Sequence, residues 1–585
     1  MILNRKFLII CLVAVLAHHA GAKGPAKDRE DFRFVVLGDR TNLANQQAFE
    51  TVLEDVGRLR PDLVVTVGDL IQGYKDSAGT AGEWDSLLPL LKALACPVYL
   101  TPGNHDITTP GVRGLFSLKT GFQPYYSFNY GSHHFVILDN SLAATEAKLD
   151  QEQVRWLEKD LADCQNKCSG IYVFMHRPFW PFGVGAGRPD KLHALFKKHG
   201  VAAVFTGHWH RYASEVYDGI RYVVMGSSGA ELRQGAAENV SLANFYQFLW
   251  VTVKDGRPYP ALIRSGNTFD PGHVSLEEET FAHRMPDQAV RLTGSPVKEG
   301  RTPKAWEAEL RLANLTPKTI RGEVTWETGA NWRPVSERTK LEVLPGDTFR
   351  ARFRFEGPGV LYPLPGMNFT YPFGRDKVYN IQNHPPDVVK ETECPAAAQR
   401  PVLDGKVSPG EWAGAARITE FCDPGGRPAQ TDPTEVYLMH SGDFLYLAAV
   451  CHEAEMPGLK SGKTTRDSRV TDDDHIGFLF ASGRDTVRLA YFNPRGTVWD
   501  RLIDRRQRRN NDKWDGRFLV AATRGQKSWQ IEIRIPAADL GLSGLSNDAP
   551  LRMNVRRRQQ SSGYDAIWVY GWSHDPERFG IVKFR

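Results

Sequence analysis

Cysteine is scarce in this 585-residue sequence, 7 residues in all, and no two of them form a C-x-x-C pair, which excludes a thiolate zinc knuckle. No apolar run approaches the roughly 20 residues that cross a bilayer as a helix, so no transmembrane segment is expected. Charge of one sign is not in excess. The 73 Lys and Arg against 68 Asp and Glu leave +5, too little for a general polyanion binder, and strong nucleic-acid binding is not expected. Internal repeats and low-complexity tracts are absent. With 41% hydrophobic and 24% charged residues, disorder is excluded as the main state. The length suggests about three or four domains.

The chain opens on a leader-like segment. Arg5-Lys6 precede the apolar run Phe7 to Ala17 and the small residues Ala20-Gly21-Ala22, which fit a cleavage site. A signal peptide over residues 1–22 is expected, and with it a secreted protein, periplasmic or extracellular. Removing Arg5 and Lys6 leaves the mature chain at +3. Six cysteines remain: Cys96, Cys164, Cys168, Cys394, Cys422 and Cys451. An even number in an oxidising compartment invites pairing, Cys164 with Cys168 and Cys394 with Cys422 or Cys451, with buried free thiols as the alternative.

From Asp31 to about Arg264, short apolar strands alternate with amphipathic stretches. Phe32 to Leu37, Leu63 to Val67, Val98 to Leu100, Phe135 to Leu138, Ile171 to Met175 and Ala202 to Thr206 read as strands. Asn45 to Leu59, Trp84 to Leu94, Gln151 to Leu161 and Asp190 to Lys198 read as helices. This β-α-β order predicts a layered α/β domain over residues 31–265. Between Val290 and Phe373 the period becomes two: Trp306, Ala308, Leu310 and Leu312 face one way, Glu307, Glu309 and Arg311 the other. An immunoglobulin-like β-sandwich over residues 285–380 is expected. The Pro-rich stretch 381–399 reads as a linker. Residues 400–585 hold further β-type segments.

Residues able to ligate metals gather at the carboxyl ends of successive strands, where open α/β sheets place their sites. They are Asp39 in Leu37-Gly38-Asp39, Asp69 in Val67-Gly68-Asp69, the run Asn104-His105-Asp106, His176 after Met175, and His208 and His210 in Gly207-His208-Trp209-His210. Any one alone is commoner as a turn, a cap or a satisfied histidine. Five strand ends in order supply carboxylates, an amide and three imidazoles together. That donor set suits two divalent ions such as Mn, Fe or Zn, and a pair of them can activate water and clamp a phosphoryl group. Hydrolysis of a phosphoester is the chemistry this predicts. Imidazole in general titrates near neutrality, which makes His105 a candidate acid, with Asp106 as its orienting partner. Arg40, at the first strand end, is a candidate phosphate ligand.

In this order the motifs resemble those of the calcineurin-like metallophosphoesterases. The resemblance implies a β-sandwich flanked by helices that hydrolyses a phosphomonoester or phosphodiester with two metals. Asp69 would bridge them; Asn104, His176 and His208 would complete one site, Asp39 and His210 the other. His105 would contact the phosphate or protonate the leaving oxygen. Many members have Asp-x-His on the first strand, whereas here the run is Asp39-Arg40-Thr41-Asn42. The first site is therefore expected to be weaker, or to recruit Asn42, water or substrate. Gln72 stands where purple acid phosphatases carry a tyrosine, with Tyr74 two residues on, so that subgroup is not assigned. The aromatic loop Arg177 to Gly185 forms either a wall of the pocket or a packed hydrophobic loop.

Residues 400–585 resemble the family-nine carbohydrate-binding module through Val402-Leu403-Asp404-Gly405, Glu411-Trp412, Trp529 to Ile535 and Pro536-Ala537-Ala538-Asp539-Leu540-Gly541. The resemblance implies a second all-β sandwich and a carbohydrate ligand. Trp499, Trp514, Trp568 and Trp572 are sugar-stacking or core candidates. Asp472-Asp473-Asp474 reads as a Ca²⁺ site or an acidic turn, and Arg505 to Arg509 as an anion-binding run or a solvated face. The expected whole is a multidomain hydrolase, an α/β layered metallophosphoesterase domain followed by two all-β sandwich domains, with a glycan-associated substrate as one expectation. The competing readings are a catalytically weakened glycan-binding surface protein and an extracellular nucleotidase or nuclease.

Overall fold

The computed structural model describes residues 31–585 apart from 43, 165–166, 233–237, 302, 328–330, 358, 375–376, 425, 430–431, 508, 547–549, 561 and 572–573. The leader expected over residues 1–22 lies outside the described residues. Two compact units divide the chain between Glu279 and Thr280.

The first unit runs β1 (Phe32–Leu37), α1 (Gln46–Leu59), β2 (Leu63–Thr66), α2 (Ser77–Lys92), β3 (Val98–Tyr99), α3 (Arg113–Thr120), β4 (Tyr126–Tyr130), β5 (His133–Ile137), α4 (Gln151–Cys164), β6 (Gly170–Phe174), α5 (Lys191–His199), β7 (Val201–Thr206), β8 (Ala213–Tyr217), β9 (Ile220–Val224), β10 (Phe248–Lys254), β11 (Arg257–Arg264) and β12 (Asn267–Phe269). Two six-stranded sheets form, ordered β12-β11-β10-β1-β2-β3 and β4-β5-β6-β7-β9-β8. β1, β2 and β3 are parallel, as are β5, β6, β7 and β9.

β1 shows how the sequence builds these layers. Phe34 and Val36 enter a core shared with Phe135, Phe174 and Phe205 of the other sheet. Val35 and Leu37 face oppositely, against Phe49, Val52 and Val56 of α1 and Trp84 and Leu87 of α2. Burial on both faces is what a near-continuous apolar run encodes, and each such side chain contributes about 1.5–3 kcal/mol. Leu157 and Leu161 of α4 and Leu192 and Phe196 of α5 cover the second sheet through Val173 and Val204. The result is a β-sandwich flanked by helices. α1 buries Phe49, Val52, Leu53 and Val56 at helical spacing, starts where Asn45 accepts the Ala48 N–H, and ends at Arg60 in the left-handed region. α2 begins earlier than its apolar pattern suggests because Asp76 caps it, accepting the Gly79 N–H at 2.7 Å.

The second unit is dominated by β-sheets. Ala305–Ala313 alternates as its sequence predicts, with Trp306, Ala308, Leu310 and Leu312 buried. It lies between Val290–Gly294 and Thr348–Glu356, with Arg333–Pro334 at the far edge. Arg338–Val343, Ile320–Glu327, Gly366–Phe373 and Lys377–His384 form the facing sheet. Trp326 closes the sandwich edge-on against Phe353 and Phe355, ring centroids 4.9 and 4.8 Å away.

The stretch 381–399 is not a free linker. Lys377–His384 belongs to the central sandwich, and Lys390–Cys394 pairs in parallel with both Val297–Lys298 and Gly580–Phe584. Pro385-Pro386 interrupts pairing only briefly, because Lys390, Thr392 and Cys394 alternate into the interior. The buried Lys390 ammonium donates to the Glu420 carbonyl, lies 3.7 Å from Glu299 and 3.8 Å from Glu420 carboxylates, and sits 5.1 Å from the Tyr362 ring centroid. Its loss would leave the buried Glu299 carboxylate without its neighbouring cation.

A nine-stranded and a five-stranded sheet complete this unit, sharing a core that includes Val436, Leu447, Phe478, Phe492, Trp529 and Ile531. Cys164 and Cys168 form a disulfide, but Cys394, Cys422 and Cys451 are buried free thiols, packed as small apolar groups. Trp568 is fully buried and donates to Glu299 at 2.9 Å, so it cannot stack on a sugar. Trp499 and Trp514 are half-buried, and Trp572 lies outside the described residues. Asp472-Asp473-Asp474 is no cation cup. Asp473 accepts the Gly462 and Lys463 N–H groups, Asp474 accepts that of Lys460, and Asp472 pairs with Lys463 and Arg469. In the basic run, Arg505 pairs with Asp575 at 3.3 Å, and 508 lies outside the described residues. Among the described residues, no helix is long and apolar enough to cross a membrane.

Candidate functional site

The carboxyl ends of the parallel strands in the first unit each give way to a loop bearing a polar residue: Asp39 after β1, Asp69 after β2, Asn104 after β3, His176 after β6, His208 and His210 after β7. Asp39, Asp69, Asn104 and His176 are buried, and His208 and His210 nearly so. Asp69, His208 and His210 adopt φ of 55°, 73° and 54°, a conformation that non-glycine residues hold only when their surroundings impose it. Glycines make the room. A Cβ on Gly103 would collide with the Asp69 carboxylate, and one on Gly207 with that of Asp39.

Four potential donor atoms converge on one point. His176 Nε2 lies 3.1 Å from Asp69 Oδ2, 3.1 Å from Asn104 Oδ1 and 3.2 Å from His208 Nδ1. His176 Nδ1 is 2.8 Å from the Val67 carbonyl, which only accepts, so Nδ1 carries a proton and Nε2 is turned to the cluster. Asp69 also belongs to a second group. Ligand atoms of Asp69, His176 and His208 lie within 4.8 Å of one another, as do those of Asp39, Asp69 and His210. His210 Nε2 is 3.3 Å from Asp39 Oδ2, which the His208 N–H holds at 2.8 Å.

Burial alone would raise the Asp69 carboxyl, but the charges of His176 and His105 overcome it and hold it down at about 2. Burial opposes a proton on His176, yet Asp69 and Asp39 push that imidazole up to about 9. Asp39 likewise raises His210 against its burial. Burial, then the neighbouring His176 and Arg177, press His208 down to about 3. The carboxylates thus draw positive charge to both groups, and the mixed oxygen and nitrogen donors suit borderline divalent cations. The residues present fit two metal ions sharing Asp69.

Thr41 does not stand in for a histidine. Its hydroxyl donates to Gln72 Oε1 at 2.7 Å, and the Asn42 amide donates to Glu231 at 3.0 Å, so the first group rests on Asp39, Asp69 and His210.

Two expected roles change. Asp106 is fully buried and commits both oxygens to backbone: Oδ2 accepts the N–H groups of Asp69 and Gly103, each at 2.8 Å, and Oδ1 those of Leu70 at 3.0 Å and Ile71 at 3.2 Å. It ties the β2 and β3 loops together and does not orient His105. That ring is set by the Gln72 carbonyl, 2.7 Å from Nδ1, with Nε2 4.0 Å from Asp69 Oδ2. Tyr74 packs edge-on against it, centroids 4.9 Å apart. Arg40 donates to the Leu70 carbonyl at 2.9 Å and to Gln46 at 2.6 Å, with its guanidinium 5.3 Å from the Phe49 ring centroid. It braces α1 rather than reaching for phosphate. The aromatic loop divides: Phe179 and Trp180 are core, while exposed Phe182 meets Trp209 edge-on at 6.0 Å, between the two histidines of the last motif.

Sequence patterning missed Asn140 and Arg177. Asn140 follows β5 and obeys the same strand-end rule. Its Oδ1 accepts the His176 and Arg177 N–H groups at 3.0 and 2.9 Å, and its amide donates to the Arg177 carbonyl at 2.8 Å. Arg177, adjacent to His176, places Nη1 3.0 Å from His208 Nε2, and burial lowers its pKa. Its Nε donates to the Ser141 carbonyl at 3.2 Å, which fixes the guanidinium beside the cluster as a candidate for phosphoryl oxygens. Arg177→Ala is expected to lower kcat/KM on a phosphoester by about 10²-fold with metal content unchanged. Metal loss in that variant would instead make Arg177 a support for His208.

Residues 32–212 match the family model of the calcineurin-like phosphoesterases. The chain carries a calcineurin-like phosphoesterase domain. Human serine/threonine-protein phosphatase CPPED1 is 29% identical to this chain over 203 residues, covering 31% of the chain and 65% of the relative. The glycerophosphodiester phosphodiesterase GpdQ of Enterobacter lignolyticus is 30% identical over 173 residues, 27% of this chain and 60% of its own length. The chain therefore spans less than two thirds of either relative, and both matches involve under a third of it. Among solved structures, a family 9 carbohydrate-binding module from Caldicellulosiruptor kristjanssonii in complex with cellotriose overlaps 33% of the chain and 94% of itself, with 16% identity and a TM-score of 0.24. The phosphoesterase domain accounts for all six ligand positions; the all-β unit contributes none of them.

Proposed function

We propose that the chain is a metal-dependent phosphoric ester hydrolase whose centre holds two divalent cations, Mn, Fe or Zn. The observation that carries this reading is Asp69, whose carboxylate belongs to both ligand groups. Asp69, Asn104, His176 and His208 would hold one cation, and Asp39, Asp69 and His210 the other. Two cations so placed lower the pKa of water and offset charge on a phosphoryl oxygen.

The remaining work falls to the chain's own groups. The Gln72 carbonyl keeps a proton on His105 Nδ1, so His105 Nε2 is the atom that passes a proton to the departing oxygen. Arg177 binds a non-bridging phosphoryl oxygen and orients the ester. Asn140 holds the loop that carries both His176 and Arg177, and Phe182 with Trp209 walls one side of the entrance.

The substrate is a phosphomonoester or phosphodiester, in keeping with relatives named as a protein phosphatase and as a glycerophosphodiester phosphodiesterase. A glycan-associated ester fits the half-buried Trp514 of the second unit as a sugar-stacking residue, whereas Trp499 stacks on Tyr491 and under Arg501. Export rests on the apolar run Phe7 to Ala17 and the small residues after it.

Turnover of p-nitrophenyl phosphate and bis-p-nitrophenyl phosphate, with and without added Mn²⁺, tests the reading alongside elemental analysis. Two metals per chain and Mn²⁺-stimulated hydrolysis of at least one compound are expected. A metal-loaded protein inert toward both would refute it.

A further inference from the structure

The outer face of the central sandwich carries an arginine pattern that neither packing nor the phosphoesterase centre uses. On adjacent strands Arg291 stands directly opposite Arg311, and Arg311 directly opposite Arg350. Three like charges thus form one row across three strands, an arrangement that destabilises a sheet. The next row along is Thr293, Glu309 and Arg352, and beyond it Glu307 faces Arg354. All four arginines of the first two rows are exposed. They line, with Glu307, Glu309, Thr293 and Ser295, a groove of about 590 Å³.

Internal pairing leaves positive charge over. Glu309 serves two arginines at once, 3.6 Å from Arg350 and 3.3 Å from Arg352. Arg291 pairs with Glu577. Arg311, in the middle of the row, is flanked by arginine on both sides. The cations are all arginine, whose planar fork matches carboxylate and sulfate oxygens two at a time.

We propose that this face binds an acidic polysaccharide, its carboxylates or sulfates running along the Arg291, Arg311 and Arg350 row. Neighbouring strands lie roughly 4.8 Å apart, comparable to the advance of one sugar unit along an extended chain, so successive acidic sugars meet successive guanidinium groups. Glu307, Glu309, Thr293 and Ser295 accept or share hydrogen bonds with sugar hydroxyls. Among the described residues, the groove lining has no aromatic ring on which a nucleobase could stack. Nor does it present a large apolar side chain to enter a lipid surface. The same two glutamates oppose a dense phosphate array. An anionic, hydroxyl-rich, extended polymer is what remains.

The test uses the full chain, binding to immobilised polygalacturonate with uncharged dextran and phosphatidylglycerol vesicles as comparisons. Wild type is expected to bind polygalacturonate and not dextran. The double variant Arg311→Gln, Arg350→Gln should bind at least tenfold more weakly with a shallower salt dependence, while hydrolysis of p-nitrophenyl esters and thermal unfolding stay as in wild type. Glu309→Gln, which releases Arg350 and Arg352 from their shared carboxylate, should bind more tightly. Undiminished binding by the double variant, weaker binding by Glu309→Gln, or binding to vesicles but not to polygalacturonate would each overturn the proposal. Should the double variant fail to fold, Glu309→Gln alone decides. Because the p-nitrophenyl assay is independent of this face, failure here leaves the hydrolase reading intact.

Discussion

Asp69→Ala is expected to abolish stoichiometric metal binding and to lower kcat/KM by on the order of 10³-fold or more, equivalent to about 4 kcal/mol of transition-state stabilisation. The reason is that one carboxylate belongs to both ligand groups, so a single truncation leaves two sites each short of a donor. It also removes the charge that raises His176 and the acceptor of the His105 N–H at 2.8 Å. Both the metals and the acid are therefore mispositioned together. The fold is expected to survive, because the sandwich core and the helical layers do not depend on this side chain. Elemental analysis, steady-state kinetics and circular dichroism on the same preparation check all three statements. A variant with two metals and wild-type turnover would remove Asp69 from the bridge.

Asp106→Asn is expected to cost the phosphoesterase domain on the order of 3–5 kcal/mol of stability, more than most single substitutions. An amide has one oxygen where the carboxylate has two. Its NH₂ group would face two of the four backbone N–H groups that Asp106 now receives. Each buried donor left unmatched costs about 1–3 kcal/mol. The donors belong to Asp69, Leu70, Ile71 and Gly103, so the loss falls on the two loops that present Asp69 and Asn104. Reduced metal affinity should accompany the lower stability. Denaturant unfolding measures the first and titration of the apo protein the second. The pH dependence of kcat in the folded, metal-loaded fraction should match wild type, since Asp106 has no part in proton transfer. A shifted profile with unchanged stability would restore the role of orienting His105.

Asp106 also marks the limit of what local sequence conveys. Asn104-His105-Asp106 announces three polar residues at a strand end, and adjacency suggests that the carboxylate serves the imidazole. In the folded chain Asp106 turns back to clamp the β2 loop, 35 to 37 residues earlier, and the Gln72 carbonyl takes the imidazole. Arg40 is a similar case. A strand-end arginine is a sound phosphate candidate until α1 brings Gln46 and Phe49 beneath it. Arg177 shows the reverse error: nothing in its spacing distinguishes it from any arginine after a histidine, and only the approach of the β7 loop sets it beside His208.

The alternation of β1, α1, β2, α2, β3, β5, α4, β6, α5 and β7 and the donor types at the strand ends were legible because they follow from periodicity and residue chemistry within a few positions, whereas α3, β4 and β8 to β12 were not read. The two-residue alternation of the central sandwich was equally legible. The pairing of Cys164 with Cys168 was legible too, but that Cys394, Cys422 and Cys451 stay free thiols, where Lys390 and the expected linker go, which tryptophans are buried and how the arginines of adjacent strands align were not. Each depends on groups distant in sequence meeting across a sheet or a core, and that meeting is settled by packing and burial of charge. The sequence by itself determined a layered α/β domain with metal-ligating residue types at its strand ends, and its resemblance already pointed to Asp69 as the shared residue; the tertiary structure decided that the Asp69 carboxylate lies within reach of both ligand groups, that Asp106 is a clamp, and that three arginines stand in a row.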